Sequence, residues 1–533
     1  METWDYIIVG AGASGCTLAG RLARQRPEAR IAVVESGSDR SGLLTTVPAA
    51  TALHFLVPTH YNHGYRTTPQ TGLRGRRCDM PSGRGIGGST SINAMVYVRG
   101  HPADYDEWQS LGCPGWAWAD VLPYFIASEH NERGVDPWHG VGGPLNVADV
   151  REPHPLDAAF IESAHQTGIS TNPDFNGPYQ DGAGYYQVTQ RNGERWGANR
   201  AFLSNTALPN LRIFSHSSAL RVVFERQLAV AVVIARNDGS EQVLRARGEI
   251  ILTAGAIRTP QLLMCSGVGP HEALSALGID VVHASPDVGR NLQDHPDYLR
   301  CFRVRGTRTL GVSASSPVDV FRALTRYGRN RSGVLTTNGA QSGAFVRTNN
   351  GQARPDIQLH FVTALLDNHA RKLWRGHGFA CHTCVLRPKS RGTVELKDRD
   401  AREVPSIDPA FLDHPEDVST MLRGVRFMNR LLGAPALARY IPRPLHEPAD
   451  DSDTAWVDEI RHRTGSAYHP VGTCRMGSDR QSVVDARLRV AGVSGLRVAD
   501  VSVMPRLIGG NTQAAAIMIA ERAAEWIAEA APQ

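Results

Sequence analysis

The glycine-rich run at residues 10–15, Gly-Ala-Gly-Ala-Ser-Gly, has the spacing of a turn that holds a pyrophosphate. An apolar predicted strand, residues 6–9, precedes it, and a helical pattern follows it. In such a turn Gly10 permits the tight bend, Gly12 lets the backbone approach the phosphates, and Gly15 lets the helix pack closely on the strand. The phosphates would lie on the N–H groups at the start of the helix. The run therefore predicts a dinucleotide site, and the alternative is an ordinary strand–helix turn.

An acidic residue follows at the distance that this kind of turn requires. Glu35 ends a second apolar strand, residues 31–34, about 20 residues after the turn. A carboxylate at that place can bind the ribose hydroxyls of a dinucleotide. The alternative is that Glu35 is a solvated strand end.

A second glycine-rich segment, residues 83–94, places four glycines in the six positions 83–88. Glycine is used where the backbone must come close to another group or adopt a positive φ. The hydroxyl of Ser89 and the amide of Asn93 add polar contacts. Because a nicotinamide enzyme needs only its first strand–helix–strand unit for the diphosphate, a second segment of this kind favours a larger group, such as a flavin ring system. The alternative is a purely structural loop.

Composition and charge restrict the class of protein. A chain of 533 residues predicts two domains, and its net charge of +5 is too small to indicate nucleic-acid binding. The chain enters its first strand almost at once, without a signal-peptide pattern, and it has no apolar run of about 18 residues. We therefore expect a cytoplasmic protein, in which the apolar residues 43–57 could contact the inner membrane peripherally.

The eight cysteines are expected to be reduced, because a long chain without a secretory signal rarely carries a disulfide framework. Cys381 and Cys384 have the spacing of a redox motif or of half a zinc site. No second pair with ligand spacing accompanies them, and the segment 379–386 has the pattern of a strand. We interpret them as strand residues, and we predict no metal site.

The pattern of the remaining chain predicts two kinds of sheet. Residues 249–253 form a buried-looking strand that runs into a turn at Gly255 and a helix, which predicts a further strand of the first sheet. Short strands, predicted to form a meander, lie at residues 210–214, 220–224 and 228–235. Between residues 299 and 413, alternating apolar and polar positions with turn signals predict an antiparallel sheet. A helix at residues 415–432 follows it.

These motifs together resemble the glucose–methanol–choline (GMC) oxidoreductases, which depend on FAD, over essentially the whole chain. Residues 83–106 resemble the family's first signature, with its glycine pair and Ile92-Asn93. Residues 255–269 resemble the second signature, with Thr259-Pro260 in place. The family's C-terminal pattern is matched by His469-Pro470 and Gly510-Asn511.

Within the family, the chain is most similar to the choline dehydrogenase branch and to the acceptor-linked dehydrogenases of medium-chain aliphatic alcohols. Residues 186–190, 386–392 and 468–477 resemble the aliphatic-alcohol enzymes closely. The resemblance implies an α/β fold, with a Rossmann-like FAD-binding domain and a second α+β substrate domain built on an antiparallel sheet. The implied segments are 1–154, 206–298 and 465–533 for the FAD-binding domain, 155–205 for a connection shared with the substrate domain, and 299–464 for the substrate-binding domain.

The resemblance also implies the residues that would contact FAD. They are Gly10, Gly12, Ala13, Ser14, Gly15, Glu35, Ser36, Arg84, Gly87, Gly88, Ser89, Asn93, Ala94, Met95, Val96, Val222, Asp500, Asn511 and Thr512. Some members of the family bind flavin covalently through a histidine just after the glycine pair. Ile92 stands at that position here, so the resemblance implies noncovalent FAD.

Two residues near the C-terminus match the catalytic pair of the family. His469 would accept the hydroxyl proton, since the ordinary pKa of histidine is about 6.5 and small shifts tune it. Asn511 would hydrogen-bond the same oxygen, while the helix near Thr512 would direct its positive end at the flavin. Two alternatives are that Asn511 caps that helix and that Asp500 is only a satisfied turn residue.

The expected reaction is oxidation of a primary alcohol, preferably aliphatic, to the aldehyde by hydride transfer to flavin N5, with a quinone or another acceptor taking the electrons. Choline is the alternative substrate, although its ammonium group favours aromatic faces and a carboxylate and the sequence alone does not assemble such a cage. A lyase, or an oxidase that uses O2, on the same scaffold is a further alternative, because the fold does not fix the reaction. A noncatalytic flavin-binding or structural protein is the remaining alternative, although the presence of both His469 and Asn511 argues against it.

Overall fold

The computed structural model describes residues 2–57, 59–204, 208–311, 316–349, 351–368 and 371–529. These residues contain two large sheets of seven strands each. The predicted segment boundary between residues 205 and 206 lies outside the described residues. The division of the chain into five segments therefore stays a prediction, and the two sheets are described below by their strands.

The first sheet, called the nucleotide sheet below, holds both strands of the N-terminal glycine motif. Its strands lie in the order Leu211–Phe214, Ile31–Val34, Thr3–Val9, Glu241–Leu252, Leu228–Arg236 and Ser217–Glu225, with Leu496–Val498 beside the end of Glu241–Leu252. The first four of these strands and Leu496–Val498 pair in parallel, and the other two pair antiparallel. Buried apolar side chains on the central strands explain this arrangement, because a parallel sheet is covered on both faces.

The predicted strands of this sheet are confirmed, with one correction. The strand predicted at residues 249–253 is the end of the longer strand Glu241–Leu252, and the helix Gly255–Cys265 follows it. The strand Leu211–Phe214 does not belong to a meander, because it pairs in parallel with Ile31–Val34 at the opposite edge of the sheet. The meander consists of the next three strands along the chain, which are consecutive and antiparallel.

The second sheet, called the antiparallel sheet below, confirms the antiparallel sheet that the sequence predicts between residues 299 and 413. Its strands lie in the order Arg443–Pro444, Pro296–Arg303, Gly378–Val385, Ile357–Val362, Ala340–Val346 and Gly182–Tyr185, with Gly465–Ser466 beside Pro296–Arg303. The predicted helix is present as Pro415–Leu432 and packs on this sheet. Cys381 and Cys384 lie in the strand Gly378–Val385, as predicted, and all eight cysteines are free and buried.

Smaller elements complete the described structure. A four-stranded sheet contains Val96–Tyr97, Gln187–Val188, Leu145–Asp149 and Glu129–Asn131. Two-stranded ribbons join Tyr65–Arg66 to Asp79–Met80, Gln190–Arg191 to Glu194–Arg195, Val268–Gly269 to His283–Ala284, Leu366–Asp367 to Lys372–Leu373, and Thr393–Glu395 to Ser406–Asp408. The remaining α-helices are Ala13–Gln25, Leu43–Thr46, Thr51–Leu56, Pro102–Ser110, Trp118–Ser128, Pro155–Gln166, Ala198–Phe202, His271–Ala276, Ser316–Asn330, Pro435–Ala438, Asp453–Arg463 and Gln513–Glu529. Within the residues described, no helix is both long enough and apolar enough to cross a bilayer.

The helix that follows the glycine turn packs on the last helix described. Ala13–Gln25 and Gln513–Glu529 lie against each other, and the hydroxyl of Ser14 donates to the carbonyl of Ala516 at 2.9 Å. Farther along both helices, Arg21 forms an ion pair of 2.7 Å with Glu521. These contacts bring residues from the two ends of the described chain to one place.

Candidate functional site

A cavity of about 790 Å³ lies between the two large sheets. Gly10, Glu35 and Thr253, which follow the carboxyl ends of three parallel strands, line one part of it. Asp297 and His360 of the antiparallel sheet line another part. Ligands of open parallel sheets bind outside the carboxyl ends of the strands, so the cavity occupies the place that the glycine motif predicts.

Two glycines of the N-terminal glycine turn have different roles, since Gly15 packs against the protein and Gly12 lines the cavity. A methyl group added at Gly15 would lie 1.8 Å from the carbonyl oxygen of Gly10, so only glycine fits there. A methyl group added at Gly12 would meet no atom within 4 Å, and Gly12 lines the cavity. The turn therefore keeps an open backbone surface at Gly12 and a closed helix–strand contact at Gly15.

The two glycine-rich segments touch each other at the cavity wall. Gly88 has a φ of +51°, and a methyl group added to it would lie 2.7 Å from the Cα of Gly12. The N–H of Gly87 donates to the carbonyl of Ala11 at 2.7 Å. The second segment is therefore part of the same cradle as the first, and it is not an unrelated structural loop.

Glu35 connects these two segments through its carboxylate. One oxygen, Oε2, accepts from the N–H of Ala11 at 2.9 Å. The other, Oε1, accepts from Gly37 at 2.8 Å and from Gly85 at 3.0 Å. The side chain is only 7% exposed, so the alternative of a solvated strand end is wrong. Its carboxylate fixes the turn, the strand end and the second segment relative to one another.

Most of the residues expected to contact FAD line this cavity. They are Gly10, Gly12, Ala13, Ser14, Glu35, Ser36, Arg84, Gly88, Ser89, Asn93, Ala94, Met95, Val96, Asp500, Asn511 and Thr512. Gly15, Gly87 and Val222 are not among the lining residues. The N–H of Val222 donates to Ser266 Oγ at 2.8 Å, and its strand contributes Ser217, Ser218 and Ala219 to the cavity instead.

Asp500 lines the cavity, and its carboxylate also accepts hydrogen bonds from backbone N–H groups and a hydroxyl of neighbouring residues. Its Oδ2 accepts from the N–H of Gly255 at 2.8 Å and from Thr259 Oγ1 at 2.6 Å. Its Oδ1 accepts from the N–H of Ser502 at 2.8 Å. Burial raises the pKa of its carboxyl above the ordinary value. The turn interpretation of Asp500 thus agrees with its contacts, and its role toward a cofactor stays a prediction.

His469 and Asn511 face each other at the cavity, as their motifs predict. Asn511 Nδ2 lies 3.2 Å from His469 Nε2, and both residues line the cavity. The N–H of His469 donates to Asp294 Oδ1 at 2.8 Å, which fixes the loop. Burial, then the neighbouring His295 and His360, hold the pKa of His469 well below its ordinary value. The imidazole is therefore neutral near pH 7.

A histidine that the sequence argument missed decides which nitrogen of His469 carries its proton. His295 Nε2 lies 3.1 Å from the carbonyl oxygens of both Leu386 and Ile508, which only accept, so this nitrogen carries a hydrogen. Burial lowers the pKa of His295 to about 4, so its Nδ1 keeps a lone pair. That Nδ1 lies 3.0 Å from His469 Nδ1, which must therefore be the donor. Nε2 of His469 is left with the lone pair that faces Asn511.

The orientation of Asn511 agrees with this assignment. Gln358 Nε2 donates to Asn511 Oδ1 at 3.3 Å, so the Asn511 amino group is the one that faces His469. The N–H of Ala516 donates to the carbonyl of Thr512 at 2.9 Å, which gives Thr512 the position before the first helical residue. Thr512 is thus the N-cap residue, and Asn511 lies one residue before it. The side chain of Asn511 contacts His469.

The antiparallel sheet adds polar side chains to the cavity that the sequence argument did not select. Asp297 Oδ2 lies 2.6 Å from His382 Nδ1, and Cys384 Sγ donates to Asp297 Oδ1 at 3.2 Å. Gln358 and His360 are two positions apart, as are His382 and Cys384, which places each pair on one face of its strand. Polar residues at alternate positions of a buried strand were the available signal. Each pair alone is compatible with ordinary core polarity.

The residues that line the cavity fit a dinucleotide that carries a large aromatic ring system. Gly12, Gly88 and the start of Gln513–Glu529 all line the cavity, and Gly12 and Gly88 lie against each other. A cavity of about 790 Å³ is within the range of about 300–1,000 Å³ that small-molecule sites occupy. The wall is mostly backbone and small residues, as the approach of a flat ring and a pyrophosphate requires.

Comparison with known proteins agrees with this geometry. The models for the N- and C-terminal parts of GMC oxidoreductases match residues 4–297 and 388–520. The chain therefore belongs to the GMC oxidoreductase family. It is 43% identical to an alcohol dehydrogenase (acceptor) of Pseudomonas putida, covering 98% of this chain and 95% of that one. It is 37% identical to an oxygen-dependent choline dehydrogenase of Brucella melitensis biotype 1, with the same coverage.

Solved structures of flavoenzymes share the fold. Pyridoxine 4-oxidase from Mesorbium loti superposes with a TM-score of 0.88 at 30% identity, covering 98% of this chain and 99% of that one. Formate oxidase of Aspergillus oryzae RIB40, in a structure that addresses its FAD modification, gives a TM-score of 0.91 at 26% identity, covering 99% and 98%. The family and these neighbours imply FAD as the cofactor and confirm the predicted α/β fold class.

Proposed function

We propose that this GMC oxidoreductase oxidises a primary alcohol to the aldehyde with noncovalent FAD and passes the electrons to a quinone or a similar acceptor. The observation that carries the proposal is the His469–Asn511 pair, which lies in the same cavity as the dinucleotide cradle. When bound, FAD supplies the acceptor of the hydride at its N5 atom. The sequence motifs and the similarity to an alcohol dehydrogenase (acceptor) support the same reaction.

In the proposed reaction, His469 Nε2 takes the proton of the substrate hydroxyl. Its lone pair is available because the other ring nitrogen donates to His295. The amino group of Asn511 then donates to the same oxygen and stabilises the negative charge that develops when the proton leaves. General-base catalysis of this kind contributes about 10²–10⁴-fold to a rate.

The apolar part of the cavity supports an aliphatic substrate. Its lining residues include Phe55, Leu310, Val362, Ala364 and Leu366. Each CH₂ group that such a wall buries contributes about 0.8 kcal/mol. We therefore expect kcat/KM to rise with the length of the alkanol until the cavity is filled.

A cationic alcohol such as choline is the second candidate, because Asp297 lines the same cavity. Its carboxylate is an anionic partner of the kind that a quaternary ammonium group requires, and Phe55 and Tyr468, stacked at 5.2 Å, are nearby aromatic lining residues. His382 and Cys384 already bond both oxygens of that carboxylate. This pairing favours the aliphatic alcohol over the cation.

Noncovalent attachment of FAD is supported by Ile92. This residue lines the cavity and is 2% exposed, and its side chain has no atom that could bond to the flavin ring. Acid precipitation of the purified protein should leave the yellow colour in the supernatant. Colour that stays in the pellet would contradict this part of the proposal.

The experiment that tests the reaction is anaerobic mixing of the purified flavoprotein with a panel of alcohols. We expect 1-hexanol to bleach the flavin faster than choline, and a quinone analogue to restore the colour. Fast restoration by air would identify an oxidase. An Asp297→Asn variant separates the substrates, since it should abolish a response to choline and leave the response to hexanol largely unchanged. Absence of bleaching by every alcohol would refute the function.

A further inference from the structure

The amide of Asn511 is held by a side chain of the antiparallel sheet that takes no part in the proposed reaction. Gln358 lies on the strand Ile357–Val362 and is fully buried. Its Nε2 donates to Asn511 Oδ1 at 3.3 Å and to the hydroxyl oxygen of Tyr186 at 3.1 Å. Its Oε1 is buried and has no hydrogen-bond partner among the described residues. A buried acceptor without a partner lowers stability, so stability alone does not explain a glutamine at this position.

Tyr186 determines which end of the Gln358 amide faces Asn511. Its hydroxyl donates to the carbonyl of Leu359 at 3.0 Å. A carbonyl oxygen only accepts and a phenol has one hydrogen, so the Tyr186 oxygen can only accept from Gln358. The amino group of Gln358 therefore faces both Tyr186 and Asn511. With the Gln358 amide reversed, its oxygen would face the oxygens of both residues with no hydrogen between them.

The amide of Asn511 is fixed in turn by Gln358. Because Asn511 Oδ1 accepts from Gln358, the amino group of Asn511 is left for His469 Nε2, which lies 3.2 Å away. A reversed Asn511 amide would turn its oxygen toward the lone pair of His469 and toward the substrate oxygen. It would then repel the negative charge that develops there, whereas a donor stabilises it. Hydrogen bonds thus fix the orientation in one series, from Leu359 to Tyr186, Gln358, Asn511 and His469.

Glycine at position 343 leaves room for the hydroxyl of Tyr186. A methyl group added at Gly343, on the strand Ala340–Val346, would lie 2.0 Å from that hydroxyl oxygen and 2.3 Å from the carbonyl oxygen of Leu359. Tyr186 is itself fully buried, and burial raises the pKa of its phenol above the ordinary value, so the hydroxyl keeps its hydrogen at neutral pH. The neighbouring strand is therefore shaped around the hydrogen bond that orients Gln358.

We propose that Gln358, oriented by Tyr186, is a positioning residue that holds the Asn511 amide with its amino group toward the substrate oxygen. The proposal rests on the proposed function, because the orientation of Asn511 matters only if this residue stabilises the charge on that oxygen. Gln358 is not among the residues that line the cavity, so it acts through Asn511 and not on the substrate itself. Its loss therefore changes the rate of flavin reduction and not the binding of the alcohol.

Anaerobic stopped-flow reduction of the holoenzyme tests the positioning, with 1-hexanol or, if choline reduces the wild type faster, with choline. Gln358→Leu removes the donor and the unpaired acceptor together. We expect its limiting rate of flavin reduction to fall at least about tenfold, toward the about 10²–10³-fold that loss of such a donor costs. The Kd of the alcohol and the FAD content should stay near wild type, and the melting temperature should not fall, because the unpaired acceptor is also removed.

Gln341→Leu is the matched control. Gln341 is a buried glutamine of the same sheet whose Nε2 donates to the carbonyl of Glu152 at 3.3 Å, so its variant should reduce flavin as the wild type does. Two double variants then separate positioning from a general disturbance of the site. In an Asn511→Ala background Gln358 has no amide to hold, so Gln358→Leu should lower the rate no further. Tyr186→Phe should lower the rate less than Gln358→Leu does, and it should add nothing in the Gln358→Leu background.

Three results would contradict the positioning, and two of them leave the proposed function intact. An unchanged rate in both Gln358→Leu and Gln358→Met would overturn it, as would an equal fall of the rate with Asn511 and with Asn511→Ala. Loss of FAD and of thermal stability in both single variants of Gln358 would also overturn it, since the role of the residue would then be structural. A wild-type rate in Asn511→Ala itself would refute the proposed role of Asn511 and the positioning together.

Discussion

The two large sheets contribute to the cavity in different ways. The nucleotide sheet offers backbone, because its strands end in glycine turns whose N–H groups and Cα atoms form the wall. The antiparallel sheet offers side chains of its strand residues, such as Asp297, His360 and His382. Backbone recognition suits a cofactor that never changes, and side-chain recognition suits a substrate that differs between relatives. The difference predicts that damage to each sheet will produce a different defect.

The largest expected effect is at His469, in the loop that follows Gly465–Ser466 beside the antiparallel sheet. His469→Ala removes the proposed base, so flavin reduction by alcohol should fall about 10²–10⁴-fold while FAD content and thermal stability stay near wild type. Stopped-flow measurement of flavin absorbance checks this. The control is His165→Ala, which changes an exposed histidine on the helix Pro155–Gln166. A wild-type rate for His469→Ala at all pH values would show that another group is the base.

Damage to the glycine turn of the nucleotide sheet should instead reduce stability or FAD binding. Gly15 and Gly12 form a matched pair that separates these two effects. Gly15→Ala would overlap the carbonyl of Gly10, which should lower the free energy of unfolding by about 1–3 kcal/mol or more. Gly12→Ala has room for the methyl group in the protein alone, so its fold should persist while its FAD content falls. Denaturant unfolding and FAD titration measure the two quantities. Equal losses of stability in both variants would contradict the assignment of Gly15 to helix–strand packing and of Gly12 to the binding of FAD.

A smaller effect is expected at His295, a buried residue that positions the proposed base. His295→Leu removes the acceptor for His469 Nδ1–H, so we expect flavin reduction to fall roughly tenfold to a hundredfold with little change in FAD affinity. His295→Gln retains a donor and an acceptor and should recover part of the rate. A purely structural role would lower stability equally in both variants without restoring the rate in the glutamine variant.

The smallest effect concerns pH. A base must be deprotonated to act, and burial holds the pKa of His469 well below 6.5. The rate of flavin reduction should therefore not follow a pKa of about 6.5 and should decline only at more acidic pH. Asp294, which accepts the N–H of His469 and whose pKa burial raises to about 7, can add an inflection near neutrality. Asp294→Asn would remove that inflection, whereas an inflection near 6.5 that persists would contradict the lowered pKa of His469.

The contrast between the sheets also explains what the sequence could predict. Gly10, Gly12, Gly15 and Glu35 are close in sequence and their spacing has a geometric meaning, so the cradle was predictable. His469 and Asn511 were identified because short motifs surround them. His295 was not selected, because its tautomer depends on two carbonyls, of residues 386 and 508, that lie next to it only in the folded protein. The edge strand Leu211–Phe214 was wrongly assigned to the meander for the same reason. The residues of a strand do not specify which other strand it pairs with.

The hydrogen bond from Ser14 to Ala516 has a consequence for how the protein is made. These residues are 502 positions apart, and a ribosome that adds about 5–20 residues per second needs roughly 25–100 s to join them. Throughout that time the emerging chain has its phosphate-binding turn but lacks the helix Gln513–Glu529 that closes the cavity. FAD can therefore be enclosed only after the helix Gln513–Glu529 has been synthesised. Until then, the apolar strands of the nucleotide sheet lack the cover of this helix, and exposed apolar surface of this kind makes an unfinished chain prone to aggregation.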